Sequence, residues 1–289
     1  MKNIHPKWLL LITLAVVWGS SFILMKKGLE NLNAIQMGSL RIIFAALAML
    51  IIGFIELKKI PKHKWKYLIL TACFGTLLPI YLFAFALTQI DGSVSAILNS
   101  LTPLNTLIIG ALFFAVQFQK RQLYGVIIGF IGSFLIIYFG AENNPNQQYL
   151  YALLVIIASV CYATNVNLLK KHLSDVSPLA ISVGNFSVLL VPAIVILFQT
   201  NFASISQEPQ VINSLFYVAV LGVVGTGLAN IMFFKLIQMS SPIFASSVTY
   251  LIPVVAFVLG VYFYQESLHT LQLIGASIVL LGVYLSSKK

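Results

Sequence analysis

Ten apolar runs follow one another along almost the whole chain, at about residues 8–25, 35–55, 65–88, 93–116, 122–140, 149–169, 178–198, 213–237, 242–264 and 268–286. Each is close to the length of about 20 residues that an α-helix needs to cross a bilayer. Hydrocarbon offers backbone N–H and C=O groups no partner, so a crossing segment must satisfy them internally, as a helix or in a closed barrel. Runs this long and continuous are not barrel strands, and the expected fold class is an all-α membrane protein. Composition agrees: of 289 residues, 60% are hydrophobic and 8% charged, against about 25% charged in an ordinary soluble domain. A water-soluble globule and a disordered chain are both excluded. No length is left over for a soluble domain of any size.

The loops set an orientation. With the N-terminus inside, the inner set is Lys2, Lys7, Lys58, Lys59, Lys62, Lys64, Lys66, Lys120, Arg121, Lys170, Lys171, Lys235, Lys288 and Lys289, which is 14 of the 17 basic residues. Only Lys26 and Lys27 fall outside, and Arg41 lies within the second run. Basic residues concentrate on cytoplasmic loops, so both termini are expected in the cytoplasm and the number of helices is expected to be even. The same rule accounts for the net charge of +10 without a nucleic-acid partner. Lys2 and Lys7 before an apolar run from Trp8 to Met25 resemble a signal peptide, but the run is long and no Ala-x-Ala site follows. It is read as the first spanning helix. Cys73 and Cys161 each lie inside an apolar run and are expected to be small packing residues rather than a disulfide.

A shift of 150 residues from the third run onward superposes the chain on itself. Gly75 falls on Gly225, Thr76 on Thr226, Phe83 on Phe233, Pro103 on Pro253, Gly110 on Gly260, Gln122 on Gln272, Gly125 on Gly275 and Gly132 on Gly282. Near the front, a shift of 144 pairs Lys26-Lys27 with Lys170-Lys171. Residues 1–140 and 149–289 are therefore expected to be two copies of one five-helix unit. Five is odd, so the second copy enters the membrane from the opposite side. Inverted repeats of this kind are characteristic of transporters, with the substrate site near the midplane between the halves.

These residues resemble a known family. Trp18-Gly19-Ser20-Ser21-Phe22, Leu40-Arg41-Ile42-Ile43-Phe44 and the run Gln265-Glu266-Ser267-Leu268 followed by Gln272-Leu273-Ile274-Gly275-Ala276 look like the opening, second-helix and closing patterns of the EamA family in the drug/metabolite transporter superfamily. The first copy departs from the pattern with Val116 where the second has Glu266. The resemblance covers the whole chain. It implies a ten-helix carrier of small organic solutes, often an exporter of amino acids or related metabolites from the cell membrane.

Ser95, Asn99, Thr102 and Thr106 are spaced four, three and four apart, so they share one helix face. A polar stripe on a membrane helix should face protein or a cavity. Pro103 cannot donate to the carbonyl of Asn99, nor Pro253 to that of Thr249, so each copy is expected to carry a kink with a loose acceptor. At the shift of 144, Trp18 falls on Tyr162 and Ser21 on Asn165, an aromatic body with a polar partner on each side of the axis. The expected substrate-binding residues are Trp18, Ser21, Asn99, Thr102, Pro103, Tyr162, Asn165 and Thr249, with Pro79, Tyr81, Asn230 and Tyr250 as weaker candidates. Arg41 is the one unambiguous charge within a span. It is given a structural or coupling role, with Asn185, Glu30 or Asp91 as partner, and Glu266 is placed at the outer turn before the last helix. Gly125 and Gly129 form a GxxxG face that could serve a homodimer. Packing within the monomer is favoured.

No Asp or Glu lies deep in a span, and the four histidines sit at a terminus or in loops. No metal cluster, cofactor motif or catalytic pair is legible. A membrane enzyme acting on lipid or isoprenoid substrates would need such groups, and a non-transporting scaffold would not need the polar stripe. The neutral, aromatic candidates with Arg41 nearby are compatible with zwitterions such as amino acids. They do not favour polyanions.

Overall fold

The structure is a computed structural model that describes residues 6–90, 92–140, 148–255 and 270–286. Helix α1 spans Pro6–Leu29 and α2 Ala34–Gly53. The turn between them is fixed by a capping box: the Asn33 side chain accepts from the Gln36 amide at 2.9 Å, and the Gln36 side chain accepts from the Asn33 amide at 3.0 Å. Each bond satisfies an amide that the first helical turn leaves without a partner. Then come α3 (Trp65–Ala72), a π-helical turn (Cys73–Leu77) and α4 (Leu78–Ala86) in one continuous rod. Helices α5 (Gly92–Asn99) and α6 (Thr102–Phe114) form one interrupted run, and α7 covers Lys120–Gly140.

The second half repeats this order. Helix α8 spans Ala152–His172 and α9 Pro178–Phe198, the latter capped by the Ser177 side chain at the Ala180 amide. After a short turn of helix, α10 (Phe202–Ile205), comes α11 (Pro209–Gly222), a π-helical turn (Val223–Leu228) and α12 (Ala229–Met239). Helix α13 (Pro242–Ser246) resumes after Ser247 and runs on to Val255, and α14 covers Thr270–Ser286. There is no strand among the described residues. Among the described residues, six helices are long and apolar enough to cross a membrane, which makes this a multi-pass membrane protein. Helix makes up most of the described part of every apolar run read from the sequence.

The distribution of side chains is that of a protein whose outer solvent is hydrocarbon. Ile51, Phe198 and Phe113 are 85%, 82% and 73% exposed. Ser39, Thr71, Ser182 and Asn185 have no exposure at all. Helices α7 and α14 lie along each other, as do α2 and α9, while α8 packs on α4 and α6, and α1 on α11 and α12. On one face, Lys64 Nζ donates to the His172 carbonyl at 2.7 Å and to Asp175 Oδ1 at 2.8 Å. This bond holds the Asp175 carboxyl below the usual range. Lys170 Nζ donates on the same face to the carbonyls of Ile237, Gln238 and Ser240 at 3.0, 3.2 and 2.7 Å, closing the C-terminus of α12.

The α7–α14 contact answers what the GxxxG face of α7 does. A Cβ on Gly125 would lie 2.8 Å from the Gly282 carbonyl, and one on Gly129 would lie 2.7 Å from the Tyr250 ring. A Cβ on Gly282 would lie 2.6 Å from Gly129 Cα. The glycines are used within the chain, where the two backbones touch. Gly282→Leu is therefore expected to destabilise the protein by at least the ~1–3 kcal/mol typical of overpacking, and Gly282→Ala by less. Thermal unfolding of the purified variants in detergent checks this.

Candidate functional site

Two helices depart from α geometry at the same relative place. In the second half, the amide of Ala229 bonds the carbonyl of Val224, five residues back, and so abandons the carbonyl of Gly225. That carbonyl accepts instead from Trp18 Nε1 at 3.0 Å. The Thr226 hydroxyl likewise reaches five residues back, to the carbonyl of Leu221 at 3.0 Å. In the first half, the amide of Leu78 bonds the carbonyl of Cys73. The next residue, Pro79, has no N–H, so the carbonyl of Gly75 lacks the donor that an α-helix would give it. π-helical turns of this kind often sit at functional sites.

Both turns open on one cavity of about 890 Å³, counting the part open to solvent. Its wall is built in pairs. Trp18 and Tyr162, Ser21 and Asn165, and Phe22 and Val166 are each 144 residues apart. Gly75 and Gly225, Thr76 and Thr226, Ile80 and Asn230, Phe83 and Phe233, Asn99 and Thr249, and Thr102 and Ile252 are each 150 apart. Contacts repeat in the same way. The Trp18 ring meets Phe233 edge-on with centroids 5.1 Å apart, and the ring of its mate Tyr162 lies 6.1 Å from Phe83. Ser21 stands against Gly225, and Asn165 stands against Gly75. Among the described residues, only Met25, Arg41, Ser246 and Val248 line the wall without a mate across it.

Eight of the residues expected from the sequence line this cavity: Trp18, Ser21, Asn99, Thr102, Tyr162, Asn165, Asn230 and Thr249. Four do not. Tyr250 is fully buried behind the wall, where its hydroxyl donates to the Val126 carbonyl at 2.7 Å. The Tyr81 hydroxyl pairs with Ser39 Oγ at 2.7 Å. Pro79 and Pro103 shape backbone rather than wall. The loose acceptor expected at Asn99 is closed, because the Thr102 hydroxyl donates to that carbonyl at 2.7 Å. The polar stripe does face inward: Ser95, Asn99, Thr102 and Thr106 are all buried. Glu266 lies outside the described residues.

Arg41 faces the cavity. Its Nε donates to Thr226 Oγ1 at 2.7 Å, and one terminal nitrogen meets Met25 Sδ at 3.6 Å. Helix α11 reaches it closely because position 222 is glycine, where a Cβ would lie 2.7 Å from the Arg41 carbonyl. The partners expected for it are otherwise engaged. Glu30 pairs with Lys27 at 2.7 Å, and Asn185 Oδ1 accepts from Thr71 Oγ1 at 3.0 Å. Asp91 lies outside the described residues. Sequence reasoning missed Thr76, Thr226 and the two wall glycines as site residues, although the 150-residue shift had already matched them. A glycine–threonine pair followed four residues after the glycine by a proline was the signal in the first half.

The EamA-like transporter family matches residues 6–138 and again 149–288, and the chain belongs to it. It is 26% identical over 287 residues to an uncharacterized transporter of Archaeoglobus fulgidus, covering 98% of this chain and 99% of that one. It is 26% identical over 294 residues to a protein of Escherichia coli K12 described as a probable amino-acid metabolite efflux pump, covering 96% and 93%. The uncharacterized inner membrane transporter YedA of the same organism is 24% identical, covering 98% and 91%. A protein solved by crystallography shares the fold, with a TM-score of 0.73 at 15% identity over 98% of this chain and 96% of that one. The family and these three relatives carry the names of transporters or an efflux pump.

The paired threonines differ in what substitution should do. Thr226→Val removes a bond to a buried charge and is expected to cost about 1.5–3 kcal/mol. Thr76→Val removes a buried hydroxyl that has no partner, and is expected to be neutral or stabilising. Unfolding of both variants in detergent, side by side, checks the contrast.

Proposed function

We propose that this protein exports amino acids or related amphipathic solutes by alternating access, one half rocking against the other around a fixed site. In this reading, residues 1–140 and 149–289 are inverted five-helix halves, giving ten spans with both termini in the cytoplasm. The paired cavity wall carries the proposal. Residues 144 or 150 apart line one cavity together, as expected for a site lying on a twofold axis between inverted halves. The loop charges support the orientation. Export rather than uptake rests on the name of the Escherichia coli relative.

The substrate is held by Trp18, Ser21, Asn99, Thr102, Tyr162, Asn165, Asn230 and Thr249. Hydroxyls and amides give it polar partners, and the rings of Trp18 and Tyr162 cover its apolar body. A wall of this chemistry suits a small solute with one polar end and one apolar end. It does not suit a polyanion, which would call for several basic groups.

The test uses purified protein in liposomes loaded with radiolabelled amino acids, nucleosides and polyamines, with and without a pH gradient. Selective efflux of amino acids is expected, reduced at least about tenfold in Asn99→Leu. Efflux that persists unchanged in that variant would remove Asn99 from the site. Efflux of nucleosides or polyamines in place of amino acids would change the substrate class.

A further inference from the structure

We infer that the cavity reads its substrate as a dipole, holding the carboxylate of an apolar α-amino acid at Arg41 and its ammonium at Thr76 and Asn165. This rests on the carrier reading above and assigns the two ends of the substrate to two different groups of wall residues.

A cavity whose wall is paired presents similar groups to both ends of whatever enters. Arg41 is the charged exception. Its mate at the 144-residue shift, Asn185, is fully buried off the wall. The ion pairs among the described residues are Lys27–Glu30, Lys59–Glu56 and Lys64–Asp175, and none involves Arg41. A charge inside the membrane without a counter-ion is costly. A guanidinium has five N–H donors. The contacts to Thr226 and Met25 engage two of them. The rest form the fork that matches a carboxylate with two parallel hydrogen bonds.

The other end is complementary. Thr226 is occupied by Arg41, but its mate Thr76 has a buried hydroxyl without a partner. Asn165, which stands against Gly75, has a buried Oδ1 without a partner. Thr76 and Asn165 both line the cavity and are 2% and 3% exposed. Buried oxygens left unbonded are uncommon and call for an explanation. An ammonium brings three donors and no acceptor, which is what two such oxygens lack. The other unpartnered buried atoms among the described residues, on Ser95, Asn167 and Asn185, are not on the cavity wall. Phe22, Ile80, Phe83 and Phe233 line the same cavity and offer an apolar surface for the side chain. Phenylalanine fits all three requirements and serves as the probe.

The experiment is counterflow of radiolabelled L-phenylalanine in proteoliposomes, with unlabelled competitors. Phenylalaninamide lacks the carboxylate and 3-phenylpropionate lacks the ammonium. In the wild type, each is expected to compete at least about tenfold more weakly than phenylalanine, the loss that follows from one charge-assisted pair. Arg41→Gln is expected to weaken phenylalanine at least about tenfold while leaving the amide unchanged. Arg41→Lys is expected to recover part of the loss. Asn165→Leu with Thr76→Val is expected to weaken phenylalanine and the amide and to leave phenylpropionate unchanged.

Equal loss of phenylalanine and amide in Arg41→Gln would overturn the assignment and leave Arg41 a structural group. Equal competition by all three compounds in the wild type would overturn it without any variant having to fold. Exchange of phenethylamine but not of phenylalanine would overturn the dipole and leave the carrier standing. Absence of exchange for every member of the amino-acid, nucleoside and polyamine pool would overturn both.

Discussion

The whole structure depends on one requirement, that no backbone N–H or C=O be left unpaired where water cannot reach it. Regular helix meets it by default. Three of the places where helix geometry is given up lie at the cavity. The π turn at Val223–Leu228 strands the Gly225 carbonyl, and an indole N–H from the opposite half takes it up. The break between α5 and α6 strands the Asn99 carbonyl, and the Thr102 hydroxyl closes it. Pro79 withholds an amide from Gly75 in the other half. Each relaxation puts backbone polarity and a hydroxyl beside the same space. The cavity is thus polar because the helices around it are imperfect, and not only because polar side chains point into it.

Packing follows from the same solvent. Lipid tails are as apolar as leucine, so burying leucine against leucine provides little drive for helices to associate. Close contact and buried hydrogen bonds must hold them. Glycines at 125, 129, 132 and 282 let α7 and α14 meet backbone to backbone. Asn167 Nδ2 ties α8 to the Thr106 carbonyl of α6 at 3.0 Å, and Asn105 Nδ2 ties α6 to Ser159 Oγ at 2.8 Å. Polar residues that look like site candidates in a sequence serve equally as helix-to-helix fasteners.

That ambiguity sets how much was legible beforehand. Among the described residues, element type was legible, because hydrophobic run length is an overwhelming signal in a chain with so little charge. The cavity lining was legible where the repeat placed unlike residues in matched positions, as with Trp18 and Tyr162 or Ser21 and Asn165. Tyr250 lies behind the cavity wall rather than on it, a difference that sequence neighbours do not reveal. The threonine face of α6 was read correctly for direction, but its freed carbonyl was taken by its own neighbour, which no pattern of spacing reveals. The π turns were invisible as geometry, since propensity distinguishes helix from non-helix but not a four-residue from a five-residue register.

The contact between α7 and α14 also constrains how the molecule can deform. Side chains interleaved across a helix pair can swap rotamers and let the pair slide. Two backbones in direct contact at Gly129 and Gly282 have nothing to swap. Sliding one past the other would drive the Leu285 side chain, the nearest at Gly125, into the groove. This pair is therefore expected to act as a keel that resists shear between its two helices.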